Sequence, residues 1–133
     1  MMKRPNSKDI VMNTVKRASL YSSLLLLLIF PLVSWGHVHL DKSIPAKGEA
    51  VSPAPESLQL WFSGGVETDW SKIEVKREDG TRMDDGEISH INDDPKTLKV
   101  TLKPLPAGTY KIKWNIVAHD GHRIKGNSHF SVK

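Results

Sequence analysis

Two short segments of this 133-residue chain contain histidines whose spacing suits metal binding, His37-Val38-His39 and His119-Asp120-Gly121-His122. All six histidines lie after residue 36, and the chain has no cysteine. A metal ion at either segment would therefore bind nitrogen and oxygen donors rather than thiolates. Such donors suit copper(II), which binds them most tightly among the divalent first-row metals, and do not suit copper(I), which prefers sulfur.

The segment from His37 to His39 becomes a strong chelate if His37 carries a free α-amine. An apolar run, residues 24–33, follows a basic region and precedes Ser34-Trp35-Gly36. Gly36 and Ser34 supply the small residues that a secretory signal has at the first and third positions before its cleavage point. The apolar run is short for a transmembrane helix. We therefore expect residues 1–36 to be a signal peptide, and the mature chain to begin at His37 without a membrane anchor.

An amino-terminal His37 has two ways of binding copper(II). Its α-amine and ring Nδ1 can chelate the ion, with further donors supplied from elsewhere in the fold. Alternatively, the amine, two deprotonated backbone amides and the His39 imidazole form a square plane. We favour the ring chelate, with His39 as an auxiliary group at most, because binding through amides must displace two strongly held protons. The simplest alternative is that His37 only marks the cleavage point.

The second segment follows residues 110–116, whose alternation of apolar and polar residues makes them the strongest predicted strand. Asp120 and His122 are two residues apart, so in extended backbone their side chains project to the same side. His119 has the opposite parity and is expected to face away. Together with a chelating His37, Asp120 and His122 would complete a set of three nitrogens and one oxygen. The alternative is a polar loop at a strand end, whose Asp and His cap turns and bind nothing.

Strands must position both segments. Apolar and polar residues alternate in four runs, residues 58–62, 73–76, 98–102 and 110–116. Turn signals separate these runs, and Trp114 lies on the apolar face of the last one. Six or seven short strands with a turn every 8–12 residues or so predict an all-β, two-sheet antiparallel sandwich. We interpret residues 37–133 as one domain.

The other polar residues indicate solvated surface. His90 and His129 are flanked by alternation that directs them outward. The acidic residues between 84 and 94 lack the spacing of a calcium loop and indicate a solvated hairpin face.

Residues 1–36 hold five of the 19 Lys/Arg and one of the 15 Asp/Glu, so residues 37–133 carry 14 of each. This zero net charge does not favour a nucleic-acid partner. No cysteine nucleophile or Gly-x-Ser-x-Gly motif occurs, and we expect no enzyme activity.

Taken in order, these features resemble the CopC family of periplasmic copper-binding proteins, in particular its short single-domain members. The matching positions extend over the whole chain after residue 36: His37-x-His39-Leu40, Ser43-x-Pro45, Pro55, Leu58-x-Leu60-x-Phe62-Ser63, Val66-Glu67, Pro95-x-Thr97-Leu98, Leu105, Ala107-Gly108-Thr109-Tyr110, Trp114, Asp120-Gly121-His122 and Gly126-x-x-x-Phe130-x-Val132.

The resemblance implies a seven-stranded Greek-key, immunoglobulin-like sandwich that holds copper(II) at one end. The implied ligands are the amine and ring of His37, with Asp120 and His122, whereas His39 matches a position seen in many members. Some members carry a methionine-rich loop that resembles a copper(I) site, but this sequence keeps only Met83 after residue 36. We therefore expect one copper(II) per chain and no copper(I) site.

The function that the resemblance implies is that of a periplasmic copper carrier or buffer in copper homeostasis or resistance. It also implies an inner-membrane copper transporter of the CopD type as a partner. Two alternatives belong to other classes: a copper oxidase with a histidine brace, and a metal-free immunoglobulin-like interaction module. In the oxidase alternative, Asp120 would occupy coordination space that oxygen needs.

Overall fold

The computed structural model describes residues 36–133 and, before them, Met2, Asn6, Lys8 and Val11. The expected signal peptide lies outside the described residues apart from those four positions and Gly36. The chain divides into two units, residues 1–36 and residues 37–133, and the β-strands belong to the second unit. Among the residues that are described, no helix combines the length and apolar character needed to cross a membrane.

Eight strands occur in residues 37–133: β1 (Leu40–Ile44), β2 (Ala50–Val51), β3 (Ser57–Phe62), β4 (Val66–Arg77), β5 (Asp84–Ile91), β6 (Asp94–Leu102), β7 (Gly108–Ala118) and β8 (Arg123–Val132). They form two four-stranded sheets, in the orders β1-β3-β6-β5 and β2-β8-β7-β4. The all-β, immunoglobulin-like sandwich predicted from the sequence is confirmed. The count exceeds the expected seven because the two-residue β2 pairs in parallel with the end of β8.

The core lies between the sheets and is built from alternate residues of each strand. Tyr110 of β7 is fully buried and stacks on Phe130 of β8, with 5.3 Å between the ring centroids. The hydroxyl of Tyr110 donates to the carbonyl of Pro106, a contact typical of immunoglobulin-like sandwiches. Trp114 packs against the same core, as its parity predicts. Opposite Trp114 lies Gly126, where a Cβ atom would be 2.2 Å from Cζ2 of the indole.

Asp84 corrects one interpretation of the sequence, because it is not part of a solvated acidic face. Its side chain is fully buried. The carboxylate accepts the backbone N–H of Val75 at 2.7 Å and two N–H groups of Arg82 at 2.9 and 2.8 Å. A buried carboxylate requires such partners, since desolvation would otherwise make its charged form costly. Asp84 thereby joins the start of β5 to β4, which belongs to the other sheet.

The β5–β6 hairpin also differs in detail from the sequence interpretation. Asn92 and Asp93 form its turn with φ angles of 52° and 59°, the pair of left-handed residues that a type I′ turn requires. Pro95 lies within β6 and not in this turn. His90, expected to be solvated, is half-buried, and its Nδ1 lies 2.6 Å from the carbonyl oxygen of Thr97. The hairpin therefore uses His90 as a structural hydrogen-bond donor.

Candidate metal centre

A tight hairpin between β7 and β8 carries two of the expected ligands. The N–H of Ala118 donates to the carbonyl of His122 at 2.9 Å, and the N–H of Gly121 donates to the carbonyl of Ala118 at 2.8 Å. Gly121 has a φ of 85°, which glycine adopts without steric cost. A turn closed by a left-handed residue is a common way to join antiparallel strands. The loop holds Asp120 and His122 at one end of the sandwich.

Asp120 and His122 face each other, although they lie in the turn and not in the extended backbone assumed from their spacing. Oδ1 of Asp120 accepts the backbone N–H of His122 at 3.0 Å, and Oδ2 lies 3.1 Å from the Nδ1 atom of the same residue. The backbone N–H, followed by the imidazole, lowers the pKa of the Asp120 carboxyl below its ordinary value. The side chains of His122 and Asp120 are 58% and 43% exposed. The loop thus presents an ionised carboxylate and an imidazole together to solvent.

His37 approaches this loop from the other end of the sequence. Its ring lies edge-on to that of His122, with an interplanar angle of 87° and 6.2 Å between centroids. Two imidazoles on opposite sides of one metal ion would have centroids roughly 6.4 Å apart, given a metal–nitrogen bond of about 2.0–2.1 Å. The three expected ligands also line one cleft of about 450 Å³, together with Val38, Ala118, Arg123, Ile124 and Lys125.

The donors share this cleft without forming a closed cage. In the part of the chain that is described, no three side chains of His, Cys, Asp or Glu lie close enough to form a ready metal site. His37 precedes β1 and is exposed, and its ring already lies beside that of His122 in the hairpin. The two imidazoles and the carboxylate, with the α-amine that the expected cleavage before His37 would expose, fit the preference of copper(II) for nitrogen and oxygen. The residues therefore suit copper(II), and the ion itself would draw the donors together.

His39 is directed away from the cleft. Its Nε2 lies 3.0 Å from Oδ1 of Asp41, and its Nδ1 lies 3.2 Å from the hydroxyl of Ser63. The backbone N–H of His39 donates to the same hydroxyl at 3.0 Å. His39 is therefore attached to the β1–β3 edge rather than to the hairpin that carries Asp120 and His122.

His119 also faces away from the cleft, as expected, although it lies in the turn after β7 and not in extended backbone. Its Nε2 lies 3.6 Å from Oε1 of Glu67 in β4. The ring covers Gly65, where a Cβ atom would be 2.4 Å from the His119 Nδ1. His129, expected to be solvated, is exposed in β8. These two histidines do not contribute donors to the cleft.

Three residues near the expected ligands were not predicted from the sequence. Arg123 and Lys125 line the cleft from the start of β8, and their period-two spacing directly after His122 was a usable signal. Ser63 was noted only as a position of family resemblance. Its contact with His39 depends on the pairing of β1 with β3, for which local spacing offers no signal.

Comparison with known proteins relates this chain to copper proteins. Residues 40–133 match the family model of the CopC domain. YobA of Escherichia coli K12 is 37% identical over 107 residues, which cover 80% of this chain and 86% of YobA. The crystal structure of CopC from Methylosinus trichosporium OB3b superposes with a TM-score of 0.68 at 28% identity, covering 73% of this chain and 94% of that one. PcoC, a methionine-rich copper resistance protein from Escherichia coli, gives 0.64 at 34% identity, covering 74% and 100%.

Proposed function

Because this chain belongs to the CopC family, and its function therefore concerns copper, we propose that it is a periplasmic copper(II) carrier or buffer in copper homeostasis or resistance. The observation that supports this most directly is the cleft that His37, Asp120 and His122 share at one end of the sandwich. Two of these residues come from one hairpin and the third from the amino-terminal segment, so a copper ion would tie the terminus to the fold.

In the proposed site one copper(II) ion binds the α-amine and ring of His37, the carboxylate of Asp120 and the imidazole of His122. The two imidazoles supply neutral nitrogen donors, and the carboxylate offsets one of the two positive charges of the ion. The lowered pKa of the Asp120 carboxyl supports this role because the ion binds the charged form of that group. All three residues are exposed, which suits an ion that has to be passed on by ligand exchange to a partner such as a CopD-type transporter.

Copper(I) is not part of the proposal. Met83 is 8% exposed and packs in the core between the sheets. One buried thioether does not provide the sulfur donors that copper(I) prefers. In this respect the chain differs from PcoC, which is described as methionine-rich.

A carrier is favoured over an oxidase by the position of Asp120. A histidine-brace oxidase binds oxygen at an open position on copper, whereas here a carboxylate lies 3.1 Å from the His122 ring. With the amine and both imidazoles, this carboxylate would complete four donors. We therefore propose that the protein holds and releases copper without turning over a substrate.

The decisive experiment compares two forms of the mature protein that differ at the terminus. One form begins at His37, and the matched control carries a single glycine before His37, which moves the free amine away while every side chain is kept. We expect the first form to bind one copper(II) per chain in a competition titration and the control to bind much more weakly. Equal affinity of the two forms would refute the amine ligand, and failure of both to bind copper(II) would refute the carrier function.

A further inference from the structure

We propose that Ser63 selects the copper(II) binding mode of the amino-terminal segment by holding His39 out of it. The inference rests on the proposed function, since it concerns how the same terminus binds the same ion. Two modes compete for that terminus: the ring chelate of His37, and the square plane of amine, two amides and His39. The second mode requires two particular atoms of His39, its backbone nitrogen and its ring Nδ1.

Both of these atoms contact one oxygen. The Oγ atom of Ser63 lies 3.0 Å from the backbone nitrogen of His39 and 3.2 Å from its Nδ1. To form the square plane, two N–H bonds would break with their protons passing to solvent, and four copper–nitrogen bonds would form. One of those protons is the proton that His39 donates to Ser63. The hydroxyl thus engages the amide and the ring nitrogen that the second mode must recruit.

Neither tautomer of His39 leaves a free lone pair on Nδ1. When Nδ1 is unprotonated, its lone pair accepts the hydroxyl proton of Ser63. When Nδ1 carries the proton, it has no lone pair for a metal, and the N–H is within reach of Ser63 and of the His37 carbonyl oxygen at 3.3 Å. On the other side of the ring, Nε2 lies 3.0 Å from Asp41. Recruiting His39 to copper therefore means breaking its contact with Ser63 first.

Strand pairing fixes Ser63 in this position. Leu40 of β1 pairs with Phe62 of β3, and the N–H of Ser63 donates to the carbonyl of His39 at 2.9 Å, which extends the ladder by one step. Next to this step Val38 packs on the core and covers Gly64, where a Cβ atom would be 2.7 Å from Cγ2 of Val38. Wrapping the backbone of residues 37–39 around an ion would therefore also remove Val38 from its contacts.

The effect of the Ser63 hydroxyl on the equilibrium between the two binding modes can be estimated from its hydrogen bonds to His39. A hydrogen bond of this kind shifts an equilibrium by roughly two- to tenfold. With its two contacts to His39, the Ser63 hydroxyl would then bias the choice of mode by about four- to a hundredfold. Ser63 is itself exposed, so replacing it should leave the core intact and change only the terminal segment.

The test uses the mature protein beginning at His37 and follows copper(II) by electron paramagnetic resonance and visible absorption. Ser63→Ala removes the hydroxyl, and Ser63→Thr is the matched control that keeps it. We expect Ser63→Ala to add a four-nitrogen component that disappears when His39→Ala is combined with it, and Ser63→Thr to retain the spectrum of the unchanged protein. In the metal-free protein, amide exchange at His39 should accelerate about tenfold in Ser63→Ala, as expected for one lost hydrogen bond.

The outcomes separate this inference from the proposed function. If Ser63→Ala has the unchanged spectrum, and that spectrum still responds to His122→Ala, the role of Ser63 is refuted and the carrier site stands. If the unchanged protein already shows a spectrum that His39→Ala abolishes and His122→Ala does not alter, both are refuted. A His39-dependent component that appears only after loss of the hydroxyl supports the inference.

Discussion

The imidazole of His37 lies edge-on to the imidazole of His122, with 6.2 Å between their centroids. The first residue of the sandwich unit thus meets the hairpin between its last two strands. This contact joins a segment that precedes β1 to one that follows β7, and it brings together donors that the sequence keeps far apart. Changes at this contact, and in the packing behind it, should have measurable consequences for copper binding and for stability.

The mature terminus decides whether the site exists. We expect mass spectrometry of the exported protein to find His37 as the first residue, because Ser34 and Gly36 supply the small residues that signal peptidase requires. A terminus at Val38 or later, or a retained signal, would contradict the site as proposed, since the α-amine and ring of His37 would then not form a chelate.

Loss of either hairpin ligand should weaken copper(II) binding. We expect His122→Ala to lower the copper(II) affinity by more than the 10–100-fold or so that is typical of losing a residue that only hydrogen-bonds to a metal ligand. Asp120→Ala should lower the affinity as well. The matched control is His129→Ala, which removes an exposed imidazole outside the cleft and should change nothing. Competition titration measures all three variants. A loss of affinity in His129→Ala equal to that in His122→Ala would contradict the assignment.

Copper(I) should find no tight site. Met83 is the single sulfur-containing residue after residue 36, and it is packed in the core. We expect Met83→Leu to leave copper(II) affinity unchanged, because leucine nearly conserves the volume, at a stability cost below about 1.5 kcal/mol. The absence of a tight copper(I) site is measured by a competition titration of the unchanged protein with a copper(I) chelator. A tightly held equivalent of copper(I) would count against the prediction.

Asp84 should matter for stability and not for copper. Asp84→Ala leaves the buried N–H of Val75 without its acceptor and removes the partner of Arg82. We expect the free energy of unfolding to fall by about 2–3 kcal/mol, measured by urea denaturation. Glu87→Ala, at an exposed position of the same strand, should stay within about 0.5 kcal/mol. Equal stability of the two variants would show that the contact between the sheets contributes little.

The close approach of Trp114 to Gly126 predicts a steric conflict. In Gly126→Ala the new methyl group would be 2.2 Å from the indole, so the ring must move, at a cost of about 1–3 kcal/mol. Urea denaturation and tryptophan fluorescence measure the effect. Combining Gly126→Ala with Trp114→Val should cost less than the sum of the single changes, because the smaller side chain vacates the space. Additive losses would mean that the two residues do not compete for it.

The sequence by itself was sufficient for features that depend on local geometry. The alternation around Trp114 predicted strands and a sandwich, and the sandwich was found. Asp120 and His122 lie together and His119 faces away, as expected, but all three lie in the turn between β7 and β8 and not in the extended backbone from which this was inferred. The inference about the strands succeeded because side-chain direction in a strand depends on the next residue or two. Family membership, indicated by motif order, was likewise confirmed by the match over residues 40–133.

Tertiary structure alone decided what depends on pairing between distant segments. His37 lies beside His122, and His39 lies against Ser63, because the sandwich brings the start of β1 to the end of β3 and to the β7–β8 hairpin. Asp84 looked like one of several solvated acids, yet its side chain is buried against β4. Local periodicity predicts which face of a strand a residue lies on. It does not predict which residues pack against that face, because this depends on contacts between strands far apart in the chain.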